Sequence, residues 1–270
     1  MKTGLNGKVV AITGGGTGIG EATAKAFLEE GCFVAVCGRR PSVLKEAARR
    51  LNAGERLLTM AADVTVPDDM CRLAEAAADR FGGLDVWVNN AGVSATAMLE
   101  ECSQELWHRL IDVNLTGAWN GTRIAIPYLK PRGGCVVNVS SYSSRVPRAG
   151  IGVYSMTKSA LDALTRVFAA ELCPYGIRVN GVAPGMTETS LTARQEREMR
   201  AAGAKEDEIA AKNEERIQAI PMRRLAQPEE IAWVVVFLAS GLSGYITGET
   251  IAVTGGKGIV QNPMQPWQHG

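Results

Sequence analysis

Seven short apolar runs alternate with stretches of helical spacing, and this alternation limits the fold more than any other feature of the chain. Lys8 to Thr13 is short and rich in β-branched residues, and Ile19 to Glu30 follows with Ala22, Ala26 and Phe27 on one helical face. Phe33 to Cys37 predicts a second strand. Pro41 then opens a helix to Leu51, because its fixed φ suits a first helical turn. Leu57 to Ala61 predicts a strand, Pro67 to Phe81 a helix, and Leu84 to Val88 a strand, after which one long helix is predicted from about Ser103 to Leu129. Cys135 to Val139, Ile177 to Val182 and Glu249 to Val253 predict the remaining strands, with helices over Val153 to Leu172 and Glu229 to Ala239. Strands that are apolar almost throughout are covered on both faces, and helices between them act as crossovers. The expected architecture is therefore one α/β domain over residues 1–270: a doubly wound, Rossmann-type fold on a parallel seven-stranded sheet. Thr187 to Ile220 stands apart as a charged, helix-prone, weakly amphipathic stretch. It follows a strand's carboxyl end, where such sheets bind ligands, so it is read as a helical lid insertion over the crevice.

Charge and cysteine usage remove several function classes. The 29 Lys and Arg nearly balance the 28 Asp and Glu, with no like-charge block, so no nucleic-acid footprint is expected. The six cysteines are scattered without a C-x-x-C pair or a His/Cys cluster, so no metal site is expected. The start of the chain lacks the features of a signal peptide and no apolar run is long enough to span a bilayer, which leads us to expect a soluble, cytoplasmic protein with reduced thiols. The two histidines are His269 in the tail and His108 beside Trp107, and no G-x-S-x-G elbow surrounds Ser141, so a serine hydrolase is poorly supported.

Two motifs carry chemistry. Thr13-Gly14-Gly15-Gly16-Thr17-Gly18-Ile19-Gly20 lies between the first strand and the first helix. Glycines there let backbone N–H groups approach a pyrophosphate, and the helix N-terminus adds partial positive charge. Gly14, Gly16, Thr17, Gly18 and Ile19 are thus candidate cofactor contacts. Tyr154 and Lys158 are one helical turn apart on one face. A free tyrosine has a pKa of about 10, and a nearby ammonium lowers it, so Tyr154 becomes a candidate proton donor to a carbonyl or acceptor from an alcohol. Alone, such a pair is more often an amphipathic surface pair.

The glycine spacing differs from G-x-G-x-x-G and, with the other motifs, resembles the short-chain dehydrogenase/reductase family. Asn89-Asn90-Ala91-Gly92 follows the fourth strand, Ser141, Tyr154 and Lys158 form an S…Y-x-x-x-K pattern, and Pro184-Gly185 follows the sixth strand. The resemblance runs from Gly7 to Gly256. It implies that Ser141 orients the substrate oxygen, that Lys158 also bonds the nicotinamide ribose, and that Asn114 supports a water-mediated proton relay. It further implies an adenine contact at Asp63-Val64, adenosine-ribose contacts at Asn89 and Gly92, and a carboxamide site over Pro184, Gly185 and Thr189, with Thr187 a lesser contributor. Ser140 is expected to turn away from the site, since strand side chains alternate. A homotetramer is implied too, with the long helices pairing across one interface and Tyr245 to Gly258 across another.

Cofactor choice is read at the end of the second strand, Val36-Cys37-Gly38-Arg39-Arg40. An acid there would bond the ribose 2′-hydroxyl of NAD, but Gly38 holds that place and Arg39 follows, so NADP(H) is expected. The expected activity is interconversion of a ketone and a secondary alcohol, with a small-molecule substrate. The alternatives are a 3-oxoacyl-[acyl-carrier-protein] reductase and a non-catalytic NADP(H)-sensing protein of the same fold. Against the carrier-protein reading, only one docking cation expected near the entrance is present, Arg132, and the second position is Tyr175. Trp87 and Trp233 are expected in the core, and Met98, Val146 and Met186 are candidates for an apolar pocket.

Overall fold

The computed structural model describes residues 2–189, 196–197, 199–201 and 203–258. Seven parallel strands form one sheet in the order β3-β2-β1-β4-β5-β6-β7. They are β1 (Val9–Thr13), β2 (Phe33–Gly38), β3 (Leu57–Ala61), β4 (Val86–Asn89), β5 (Cys135–Val139), β6 (Arg178–Pro184) and β7 (Thr250–Val253). The order reverses between β1 and β4, which pair from Val10↔Val86 to Ile12↔Val88. Chain connections diverge to opposite sides at such a point and leave a crevice beyond the strands' carboxyl ends.

One face of the sheet is covered by α1 (Gly18–Glu29) and α8 (Pro228–Ala239), and the other by α3 (Pro67–Phe81), α5 (Gly117–Leu129) and α6 (Gly152–Leu172). Phe27, Val34, Val86 and Val137 are buried on the first face, and Leu73, Trp87, Leu129 and Ile177 on the second. Burying each such side chain contributes roughly 1.5–3 kcal/mol, so both sheet faces are anchored and the strand ends are held rigidly. Two further helices, α2 (Pro41–Leu51) and α4 (Gln104–Ile111), and α7 (Glu206–Gln218) complete the helices used below.

Three expectations need correction. The stretch from Ser103 to Leu129 is not one regular helix: α4 passes into a π-helical turn, Asp112–Thr116, before α5. The extra residue in that turn accompanies an inward Asn114, whose side chain is locked to the loop after β4. Trp233 is exposed rather than core, at 61%. Ile231, Val235 and Leu238 form the buried stripe of α8, and Trp233 falls outside it even though the whole segment is apolar. Arg132 lies before the amino end of β5, at the opposite end of the strand from Ser141, and pairs with the buried carboxylate of Asp85 at 3.5 Å. It therefore does not flank the mouth of this chain's own crevice.

Within the stretch from Thr187 to Ile220, residues 190–195, 198 and 202 lie outside the described residues, as does His269. The part that is described contains α7, whose Ile209 is buried, as is Ile220 after it. Arg216 of this helix lines the crevice, so this part of the insertion does border the site.

Candidate active site

The glycine turn is shaped by its contacts with β4. Gly14 and Gly18 take positive φ, +68° and +56°, which favours glycine. A Cβ on Gly14 would stand 2.9 Å from the Ala91 Cα, and one on Gly20 would meet the Gly14 carbonyl oxygen at 2.3 Å. The turn, the first turn of α1 and the loop after β4 are therefore pressed together. Asn90 braces them: its Nδ2 donates to the carbonyls of Thr13 at 2.9 Å and Gly14 at 3.1 Å. The Thr13 hydroxyl accepts from the backbone N–H groups of Asn90 and Ala91 at 3.0 and 3.1 Å. The result is a concave backbone surface at a helix N-terminus, lined by Gly14, Gly16, Thr17, Gly18 and Ile19. Such a surface suits a pyrophosphate.

The same cavity continues over the ends of β2 and β3, where Gly38, Arg39, Arg40, Asp63 and Val64 line it. Arg39 is exposed, and no ion pair among the described residues involves it. Asp63 is partly committed locally, since its Oδ1 accepts from the Thr65 N–H and hydroxyl, both at 2.9 Å. Val64 also packs against α5, where a Cβ on Gly117 would stand 3.0 Å from it.

Asn89 does not face this cavity, contrary to the sequence expectation. It is buried, accepts from the Trp87 indole N–H at 2.7 Å, and donates to Thr122 at 2.9 Å and Asn138 at 2.8 Å. Asn138 in turn donates to Thr165 at 2.9 Å, so a polar chain ties β4 to β5 and α6 inside the core. Asn89 is the last residue of β4 and points into the core, whereas Asn90, Ala91 and Gly92 follow in the loop beyond the strand end and line the crevice. The spacing of buried Trp87 and Asn89, two residues apart on β4, was the available signal.

A second cavity adjoins the first and shares Ile19, Asn90, Gly92, Val93 and Thr189 with it. Ser141, Tyr154 and Lys158 all line it. Ser141 follows β5 and caps a short turn, its hydroxyl accepting from the Ser143 N–H at 3.1 Å. Ser140 is occupied elsewhere, its hydroxyl donating to the Lys158 carbonyl at 3.3 Å. Tyr154 and Lys158 project from the first turns of α6, and the Lys158 Nζ stands 5.9 Å from the Tyr154 ring centre. Lys158 is buried and donates to the Val139 carbonyl at 2.8 Å. Burial pulls its ammonium down to about 8, although the Asp162 carboxylate pulls the other way.

Tyr154 departs from the expected electrostatics. Burial pushes its phenol up from the ordinary value of 10, and hydrogen bonding from Ser141 pulls it back only in part. The lowering expected from Lys158 is not found, because desolvation of the phenolate outweighs the other influences. Asn114 is buried beneath Gly92. Its Oδ1 accepts from the Val93 N–H at 2.8 Å, and its Nδ2 donates to the Val93 carbonyl at 2.9 Å and to Thr157 at 3.2 Å. A Cβ on Gly92 would stand 3.4 Å from the Asn114 Oδ1 and 3.7 Å from the Lys158 Nζ. Asn114 thus holds the loop that passes over Lys158.

Pro184 at the end of β6 and Gly185 after it close the far wall, and the Gly185 N–H donates to the Val253 carbonyl at 2.8 Å. Thr187 is buried and Thr189 approaches the turn, 3.4 Å from where a Gly18 Cβ would sit. Met186 lines the cavity, whereas Met98 and Val146 are exposed and do not. Sequence reading did not mark Asn90, Arg148 or Arg216, all of which line the crevice. Asn90 sat inside a quoted motif, but nothing local distinguished the two arginines.

Comparison with known proteins agrees with this geometry. Residues 14–257 match a family described as enoyl-(acyl carrier protein) reductase. An uncharacterized oxidoreductase of Mycobacterium bovis is 37% identical over 256 residues, covering 94% of this chain and 98% of that protein. The 3-oxoacyl-[acyl-carrier-protein] reductase of Thermotoga maritima is 36% identical, covering 93% of this chain and 98% of that protein. The 3beta-hydroxysteroid dehydrogenase 1 of Eggerthella lenta is also 36% identical, covering 93% and 94%. Among solved structures, a short-chain type dehydrogenase/reductase from Mycobacterium marinum matches with a TM-score of 0.85 and 30% identity, covering 96% of this chain and 98% of that one. A seven-stranded doubly wound sheet, a glycine turn at its switch point and this matching of sequence and structure together place the chain in the short-chain dehydrogenase/reductase family, whose members are oxidoreductases that use nicotinamide cofactors.

Proposed function

We propose that the protein is an NADP(H)-dependent carbonyl reductase that interconverts a ketone and a secondary alcohol, with Tyr154 as proton donor. The observation that carries this reading is the convergence of Ser141, Tyr154 and Lys158 in a cavity continuous with the glycine-turn crevice. When bound, the nicotinamide supplies or accepts the hydride. Gly14, Gly16, Thr17, Gly18 and Ile19 would hold the pyrophosphate, and Asp63 with Val64 the adenine side. Gly92 would approach the adenosine ribose, Lys158 the nicotinamide ribose, and Pro184, Gly185, Thr187 and Thr189 the carboxamide. Arg39 favours the 2′-phosphate of NADP(H), because the cavity beside it has no carboxylate at the end of β2 to repel that group.

The chain's own residues account for proton handling. With its pKa pushed up, the Tyr154 phenol is protonated at neutral pH and able to give its proton to a carbonyl oxygen. Ser141, which lines the same cavity, would orient the same oxygen. Lys158 places a cation behind the phenol that can stabilise the phenolate left after transfer. Asn114 keeps the Val93 loop and Lys158 in register, and we assign it a positioning role in proton resupply. A cofactor sensor would have no use for this constellation.

Physiological oligomerisation and location are part of the same proposal: a homotetramer acting on a small molecule in the cytoplasm. All six cysteines are free, which fits a reducing compartment. Among the described residues no helix is long and apolar enough to cross a membrane. The test is Tyr154→Phe assayed over a panel of ketones with NADPH. Turnover is expected to fall by about 10²–10⁴ while NADPH still binds. Near-normal kcat in the variant, with chemistry rate-limiting, removes Tyr154 from the reaction.

A further inference from the structure

The substrate end of the crevice carries cations that the hydride-transfer machinery leaves unused. Arg148, in the segment between β5 and α6, and Arg216, on α7, line the same cavity as Ser141 and Tyr154. Lys257 follows β7, and its Nζ stands 4.0 Å from the Sδ of Met186, itself part of the cavity wall. These side chains come from three distant parts of the sequence, so the fold alone gathers them.

Among the described residues, no ion pair accounts for the gathering. The ion pairs among the described residues engage Lys8, Lys25, Arg50, Arg72, Arg132, Arg200 and Arg224, and none of them involves Arg148, Arg216 or Lys257. The Arg216 guanidinium donates to the side chain of Asn213 at 3.3 Å, and Asn213 in turn donates to the Glu196 carboxylate at 2.8 Å, so that carboxylate reaches Arg216 only through a neutral amide. Burial lowers the pKa of Lys257, and repulsion from Arg148 and Arg216 lowers it further. Gathering like charges at a rim where Arg216 and Lys257 are half-buried and Arg148 is exposed raises the energy of the free protein, and an anion bound among them would relieve it. The cofactor's phosphates do not meet this demand, because the glycine turn and Arg39 lie in the other cavity and the residues shared by the two cavities are uncharged.

We infer that the substrate is an oxo or hydroxy compound bearing an anionic group, held by Arg148, Arg216 and Lys257 while its reacting oxygen lies at Ser141 and Tyr154. This rests on the reductase reading and narrows it. The anion is a carboxylate or a phosphate, and the phosphate can belong to the nucleotide of a coenzyme A thioester. Bidentate guanidinium contacts suit either group. A neutral ketone of the same length leaves the cations unpaired and is bound less well.

The test uses the full-length enzyme with saturating NADPH and three forms of one 3-oxo acyl group: 3-oxobutanoate, its methyl ester and its coenzyme A thioester. At low ionic strength kcat/KM is expected to be at least tenfold higher for an anionic form than for the ester, and the advantage should shrink with added salt as screening sets in. A preference for the free acid identifies a carboxylate, and a preference for the thioester identifies a phosphate. In Arg148→Gln/Arg216→Gln the anion-to-ester ratio should fall about tenfold, chiefly through KM. Equal use of ester and anions by the wild type, or an unchanged ratio in the double variant, overturns the inference and leaves the reductase reading standing. If none of the three is reduced, thermal unfolding with each anionic probe decides separately. A rise in Tm with either probe that the double variant lacks supports the anion site without the proposed chemistry, and no rise with either rejects the site.

Discussion

Replacing Asn89 by alanine separates structural support from cofactor contact. Asn89 is 5% exposed and sits in a chain running from Trp87 through Asn138 to Thr165. Alanine leaves the Trp87 indole N–H without its 2.7 Å acceptor and the Asn138 Oδ1 without its 2.8 Å donor, both fully buried. Each of the two stranded groups costs about 1–3 kcal/mol, so the loss is roughly 2–6 kcal/mol against a total stability on the order of 5–15 kcal/mol. At about 2–4 °C per kcal/mol for a chain of this size, that corresponds to a Tm drop of roughly 4–24 °C, read by thermal unfolding of cofactor-free protein. NADPH affinity, from fluorescence titration, should stay within about twofold of wild type, on the order of 0.4 kcal/mol. Asn90→Ala should do the reverse. It removes the brace on the Thr13 and Gly14 carbonyls beside the crevice, so cofactor affinity should fall about tenfold, or 1.4 kcal/mol, with a smaller loss of Tm. An Asn89→Ala protein with unchanged Tm and a tenfold weaker cofactor would refute the assignment of Asn89 to the core network.

Three other outcomes are expected. Wild-type enzyme should prefer NADPH over NADH by at least about tenfold in kcat/KM, or 1.4 kcal/mol, and Gly38→Asp/Arg39→Leu should move the preference toward NADH; equal use of both by the wild type contradicts the role given to Arg39. In cofactor-free protein Lys158 titrates near 8, below its ordinary 10.5. Between those values the unfolded chain binds the proton that the folded chain has shed, so wild type should gain stability relative to Lys158→Met as pH rises through that window. Denaturant titrations at pH 7.5 and 10 check this, and a wild-type disadvantage that grows with pH would reverse the sign. Light scattering should report a tetramer, and Trp119→Glu with Val167→Glu, at exposed positions on α5 and α6, should split it to smaller species; a monomeric wild type removes the proposed assembly.

Most of the fold and much of the site were legible because they depend on local chemistry. The helices over Pro41–Leu51 and Pro67–Phe81 and the strand over Cys135–Val139 match the sequence expectation residue for residue, since proline starts and apolar, β-branched runs act within a few residues. The glycine turn was readable for the same reason, its positive φ being a property of the residue type. What required the folded chain depends on which face a side chain takes and on what lies opposite it. Asn89 and Asn90 are adjacent and chemically identical, and the pairing of β4 with β5 sends the first to Asn138 and leaves the second at the crevice. Trp233 lies in an apolar run, yet the sheet covers only the stripe of α8 that holds Ile231, Val235 and Leu238. The pKa of Tyr154 moves up rather than down because desolvation is set by the whole surrounding protein, and a lysine one turn away in sequence does not outweigh it. Arg148, Arg216 and Lys257 share no motif, and they meet only because β5, α7 and β7 deliver separate segments to one rim, where charges act through space irrespective of sequence distance.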